Sequence, residues 1–260
     1  MTIKLRSILV CILLTSCLYA ETAKDAWNKM LGDVKKQTSP IFAYTENDPA
    51  LPNVFIYGDS VSIGYTAQVR DLLKGEANVY RFTGNGNDSS RFIPNVSEML
   101  KTMRDPRLDE HWSFHWDVIH LNVGLHDLKH LKDNKLDSSG EQLHTLAEYE
   151  ANLRSIFDYL KKNEPQAAIV FATTTPVPVE GSPGYIPGDS EKYNEVALKV
   201  LQDYPAVVVN DLYGFTKPNQ ESWKFSEGNV HYKPEARDLQ AKEVAGVIRE
   251  VLSARAKSVK

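Results

Sequence analysis

The chain has 260 residues, 42% of them hydrophobic, 10% aromatic and 25% charged, a composition that excludes disordered, collagen-like and coiled-coil classes and supplies a sizeable core. Its 30 Lys and Arg against 34 Asp and Glu give a net charge of -4, so there is no basic footprint for nucleic acid. A length in this range fits one α/β domain.

Taken from the start, Lys4 and Arg6 precede the apolar run from Ile8 to Leu14, which is too short to span a bilayer and reads as a secretory signal over residues 1–20. Two ends are compatible with it. Leu14-Thr15-Ser16-Cys17 resembles a lipobox, in which Cys17 is lipidated, and Leu18-Tyr19-Ala20 before Glu21 suits an ordinary cleavage. Both cysteines, Cys11 and Cys17, fall inside this segment, so the folded part is expected to carry no disulfide. The expected location is secreted or periplasmic, with membrane attachment only through a lipidated Cys17.

Residues 21–50 are polar and amphipathic and are expected to form an N-terminal arm. From Asn53-Val54-Phe55-Ile56-Tyr57 onward, β-branched apolar runs recur at Val79 to Thr83, Asp117 to Val123, Ala168 to Thr174 and Ala206 to Asn210. Helical periodicity lies between them. It is carried by Tyr65, Val69, Leu72 and Leu73, then by Tyr149, Leu153, Ile156, Phe157 and Leu160. Tyr193, Val196, Ala197, Val200 and Leu201 repeat it behind the capping candidates Asp189 and Ser190. A last helix starts near Pro234 and sets Leu239, Val244, Val247, Ile248, Val251 and Leu252 on one side. The alternation predicts a doubly wound parallel sheet of about five strands over residues 51–254, with a short tail at 255–260. Residues 128–147 and 176–190 interrupt it after the third and fourth strands, at carboxyl ends where such sheets bind ligands.

The first strand runs into Gly58-Asp59-Ser60 and then a helix. A hydroxyl at that turn stands above the sheet edge beside the N–H groups of a helix start, which suits a nucleophile. A lone serine there is also an ordinary N-cap, so its reading depends on a partner base. His231, in Gly228-Asn229-Val230-His231-Tyr232-Lys233-Pro234, follows the fifth strand and comes to the same edge. The other histidines, at 111, 115, 120, 126, 130 and 144, show no metal-ligand spacing, and no metal is expected.

Gly58-Asp59-Ser60, Gly124-Leu125-His126-Asp127 and Val230-His231, in that order and in those contexts, resemble the blocks of the SGNH (GDSL-type) hydrolases. The resemblance implies a flavodoxin-like three-layer α/β/α fold and ester hydrolysis through an acyl-enzyme without a cofactor. It implies Ser60 as nucleophile and as one oxyanion donor through its backbone N–H, and His231 as general base. A second donor falls in Thr83-Gly84-Asn85-Gly86-Asn87-Asp88-Ser89-Ser90, at Gly86 or, if Asn85 takes the place of the family's asparagine, at Asn87.

Two positions depart from the family. His126 stands where Gly-x-Asn-Asp has its asparagine, and a ring N–H can also donate to an oxyanion. Gly-Leu-His-Asp-Leu is similar to a branch of secreted SGNH-like proteins. Gly228 occupies the place of the triad aspartate, leaving Glu227, Asn229, a backbone carbonyl or nothing to orient His231. Asp59 and Asp127 are further supporting candidates. The expected function is a secreted serine esterase that removes small acyl groups, acetyl above all, from a carbohydrate, with Tyr185, Tyr213 and Trp223 as candidate sugar contacts. The alternatives are a lipid-directed esterase or lysophospholipase and a non-catalytic glycan-binding envelope protein.

Overall fold

The structure is a computed structural model that describes residues 20–258, so the expected signal segment, apart from its last residue Ala20, and both cysteines lie outside the described residues. Residues 21–50, expected as an arm, contain helix α1 (Ala23–Leu31) and the short α2 (Val34–Gln37). Thr22 caps α1 by accepting the Asp25 N–H, and Ala23, Ala26, Trp27 and Leu31 form its buried side. Trp27 donates from Nε1 to the Phe42 carbonyl at 2.8 Å. Its ring lies 5.6 Å from that of Trp112, which in turn meets Tyr80 at 5.1 Å. Trp116 continues this aromatic layer, stacked on Phe55 at 5.0 Å.

The chain then alternates: β1 (Asn53–Gly58), α3 (Ser60–Leu72), β2 (Asn78–Arg81), α4 (Phe92–Met103) and β3 (Val118–Asn122). Residues 128–147 are no plain loop; they hold a small antiparallel sheet of β4 (His130–Lys132), β5 (Lys135–Leu136) and β6 (Glu141–Gln142). There follow α5 (Leu146–Asn163), β7 (Ala168–Ala172), α6 (Asp189–Leu201), β8 (Val208–Asn210), α7 (Leu212–Thr216), α8 (Gln220–Trp223) and α9 (Pro234–Ser258). The main sheet has five parallel strands in the order β2-β1-β3-β7-β8. Helices α3 and α9 pack together, and α5 packs between α4 and α6, which gives the expected α/β/α layering. β1, β2 and β3 are buried along their whole length, as strands covered on both faces must be.

Several strands are shorter than their apolar runs. Ala206 and Val207 are spent in a turn in which Val207 N–H donates to the Tyr204 carbonyl at 2.9 Å. At the end of β7, the Asn194 side chain takes the Thr174 N–H at 2.8 Å, so a side chain replaces the next strand neighbour. Leu239 was expected on the inner side of the last helix but is 38% exposed. Small Ala236, Ala241 and Ala245 instead bury there beside Val244 and Ile248, allowing α9 to approach α3 closely.

The topology reverses between β1 and β3, whose ends Gly58 and Asn122 lie opposite one another. Ligands bind in open α/β sheets in the crevice beyond such a point.

Candidate active site

β1 ends at Gly58, where a Cβ would come within 2.7 Å of the Asn122 carbonyl oxygen. The next residue, Asp59, caps α3: its Oδ1 accepts the Val61 N–H at 2.8 Å. Ser60 is therefore the first helical residue, and its own N–H has no partner within the helix. Beneath this turn the buried Arg81 side chain donates from Nη2 to Ser62 Oγ at 3.0 Å and to the Gly58 carbonyl at 3.3 Å. Burial raises the Asp59 carboxyl to about 6, against the Val61 N–H bond and the positive charge of Arg81, which favour its ionised form.

His231 lies on the loop before α9, and its Nε2 is 2.9 Å from Ser60 Oγ. Its Nδ1 is 2.9 Å from Asn229 Oδ1, which also accepts the His231 backbone N–H at 2.8 Å. An amide oxygen only accepts, so the imidazole proton sits on Nδ1 and the Nε2 lone pair faces the serine hydroxyl. Burial, and then the Arg237 charge, hold the His231 pKa below its ordinary value of 6.5. Glu227 is exposed and takes no part, since both ring nitrogens are engaged elsewhere. Gly228 gives its N–H to Glu180 Oε1 at 2.7 Å, which fixes the loop ahead of Asn229.

The loop after β2 contains both remaining candidates. The Gly86 N–H donates to the Gly58 carbonyl at 2.9 Å, so it is spent inside the fold. A Cβ on Gly86 would lie 2.7 Å from Tyr57 Cε1 and 2.8 Å from Gly58 O, so glycine is there for close packing beneath the serine turn. Asn87 is exposed and left-handed at φ 56, with its N–H on the Asn85 side chain at 2.9 Å, a partner that can rotate away.

Behind that loop Asp127 accepts the Ser89 N–H through Oδ2 at 3.0 Å, and Asp88 Oδ1 is 3.0 Å from His144 Nε2. Asp88, Asp127 and His144 have ligand atoms within 4.8 Å of one another, and their bonds to Ser89, Ser90 and each other tie the loop to the turn after β3. Asp127 supports the site through the loop and not through His231. Burial raises its carboxyl to about 7.

His126, at the turn after β3, accepts through Nδ1 from Lys129 Nζ at 2.8 Å. Burial, then the Lys129 charge, push its pKa down to about 4, and the ring also senses the charge of His231. Of the aromatic residues expected to meet a sugar, Trp223 packs on Phe215 at 5.5 Å and the Tyr213 hydroxyl is held by Lys217 at 2.6 Å, whereas Tyr185, largely buried, helps to line a hollow beside the His231 loop. A hollow of about 600 Å³ opens beside the His231 loop, lined by Ser138, Glu180, Ser182, Pro183, Glu227 and Gly228. Sequence reasoning missed Lys129 and Arg81; the only signal for either was a cation inside or ending an apolar run.

A serine hydroxyl, an imidazole and an amide oxygen in series on an open α/β sheet define the arrangement found in serine hydrolases and their relatives. The chain belongs to the GDSL-like Lipase/Acylhydrolase family, whose model matches residues 42–244. It is 36% identical over 158 residues to a multidomain esterase of Ruminococcus flavefaciens, a match covering 60% of this chain and 18% of that protein's length. The fold is similar to that of the lipase/acylhydrolase from Enterococcus faecalis, with TM-score 0.56, 15% identity, 76% of this chain and 96% of that one covered. It is also similar to a variant of an acetyl xylan esterase from Geobacillus stearothermophilus, with TM-score 0.55, 17% identity, and 77% and 94% covered.

Proposed function

We propose that the protein is a secreted or periplasmic serine esterase that removes small acyl groups, chiefly acetyl, from a carbohydrate. The observation that carries the catalytic part is the directed chain Ser60 Oγ, His231 Nε2, His231 Nδ1, Asn229 Oδ1, in which each proton points the way proton transfer requires. Ser60 Oγ attacks the acyl carbon as its proton passes to His231 Nε2, and the carbonyl oxygen becomes an oxyanion. The Ser60 N–H at the start of α3, the Asn87 N–H and His126 Nε2–H are the donors for that charge. His231 then protonates the departing alkoxide, leaving an acyl-serine. A water that gives its proton to His231 hydrolyses it and regenerates the serine.

The acetylated-glycan substrate is supported by the proline- and glycine-rich hollow beside the His231 loop, which Tyr185 helps to line, and by the acetyl xylan esterase among the similar folds. The export reading rests on residues 1–20, which precede the described fold. Among the described residues no helix is long and apolar enough to cross a membrane.

The test is acetate release from an aryl acetate and from acetylated xylan by the wild-type protein and by Ser60→Ala. Release that disappears in Ser60→Ala supports the reading, and equal rates end it. An optimum on long acyl chains transfers the protein to lipid esters, and saturable glycan binding without Ser60-dependent turnover makes it a binding protein.

A further inference from the structure

Lys129 is half-buried one helical turn's distance in sequence beyond His126, and its ammonium reaches the ring at 2.8 Å. An ammonium group can only donate, so the His126 nitrogen facing it must be the bare one. The neutral ring then carries its proton on Nε2, the nitrogen that Lys129 does not engage. The tautomer is opposite to that of His231, whose Nδ1 proton is held by Asn229. Two neighbouring imidazoles are thereby given opposite duties: His231 offers a lone pair at Nε2 and His126 offers a proton at Nε2.

We propose that Lys129 is a positioning residue that holds His126 as a fixed N–H donor to the oxyanion, replacing the built-in N–H of an asparagine amide. An amide needs no such help, because its nitrogen donates in every state. A histidine donates from Nε2 only in one neutral tautomer or when charged, and its ring must also be kept from rotating. Lys129 meets both requirements through one bond. Burial holds the Lys129 pKa below its ordinary value, against the carboxylates of Asp59, Asp88 and Asp127, which favour the charged form, and the Lys129 charge in turn disfavours protonation of His126. The inference rests on the esterase reading of Ser60 and His231.

The test combines kinetics with nitrogen-15 spectra of the histidine rings in the full chain. In the wild type and in Ser60→Ala, His126 is expected to show a protonated Nε2 and a bare Nδ1 near neutral pH. Lys129→Met is expected to lower kcat on an aryl acetate about 10-fold or more, a part of the 10²–10³ that loss of a whole oxyanion donor costs, with KM little changed. Its His126 signals should move to a mixture of tautomers. Lys129→Gln, whose amide N–H can still donate to Nδ1, should keep the wild-type signature and recover most of kcat. A His126 protonated on Nδ1 in the wild type overturns the proposal, as does Lys129→Met with an unchanged kcat. Should Lys129→Met fail to fold, the wild-type spectrum and Lys129→Gln decide. If Ser60→Ala retains the wild-type rate, the esterase reading falls; if Ser60→Ala is dead and Lys129→Met is fully active, only the role of Lys129 falls.

Discussion

Asn229 and His231 are joined twice, the one amide oxygen accepting both the backbone N–H of His231 at 2.8 Å and its Nδ1–H at 2.9 Å. The backbone bond fixes which end of the amide faces the ring, so the imidazole is held in the tautomer a general base needs. What a neutral amide lacks is the negative charge that stabilises the imidazolium formed during reaction.

Substitution at Asn229 should separate orientation from charge. His231 acts when neutral, so activity is lost as pH falls through its pKa, and burial places that limb of kcat/KM below 6.5. Asn229→Asp brings an anion to the ring and should raise the limb by about 1 unit or more, with a higher kcat. Asn229→Ala loses the orienting acceptor and should lower kcat about 10²-fold. The pH–rate profiles of the three proteins check both.

At His126 the donor itself can be removed. His126→Ala should cost about 10²–10³ in kcat with a much smaller change in KM, as removal of an oxyanion donor does. His126→Asn places an amide N–H where related proteins carry one and should recover part of the loss. Steady-state kinetics on an aryl acetate distinguish these outcomes.

The two glycine-loop positions should respond in opposite ways. Gly86→Ala forces a Cβ to within 2.7 Å of Tyr57 and should destabilise the protein by about 1–3 kcal/mol. Asn87→Gly keeps the backbone N–H and relieves a positive φ, so it should leave stability and turnover near wild type. Urea unfolding together with kcat measures both.

Acid should weaken the fold through a histidine remote from catalysis. His120 is fully buried on β3, with Nε2 3.2 Å from Asn210 Oδ1, and burial pushes its pKa down to about 4. The unfolded chain takes up that proton near 6.5, so the contribution of the neutral ring is complete above about 6.5 and is lost as pH falls toward 4. The stability difference between wild type and His120→Gln should therefore shrink on acidification, by up to about 1.4 kcal/mol per pH unit. Denaturant titrations from pH 7.5 to 4.5 follow it.

The sheet was legible because β1 and β3 are strands buried on both sides, and such strands must be nearly continuous runs of apolar residues. Family membership, too, was legible through the resemblance of the blocks Gly58-Asp59-Ser60, Gly124-Leu125-His126-Asp127 and Val230-His231, despite the departure at His126. The geometry around those residues was less accessible. Whether Gly86 or Asn87 presents its N–H depends on the Gly58 carbonyl across the loop, and whether Glu227 or Asn229 supports His231 depends on which way a turn faces. Leu239 followed helical periodicity but is 38% exposed, the buried side of α9 being carried by Ala236, Ala241, Val244, Ala245 and Ile248. The helix at residues 23–31 was legible in the helical spacing of Ala23, Ala26, Trp27, Met30 and Leu31, but the partner that makes it useful, the Trp112 ring, lies far along the chain.

That distant partnership bears on the order in which the molecule can be completed. Helix α1 has nine residues, too few to persist alone in water, and the Trp27 ring, which meets Tyr44 nearby, completes its packing only once Trp112 has been synthesised and placed beside Tyr80. The first helix among the described residues thus waits on a part of the chain made much later, and the environment of the Trp27 indole reports when that part has docked.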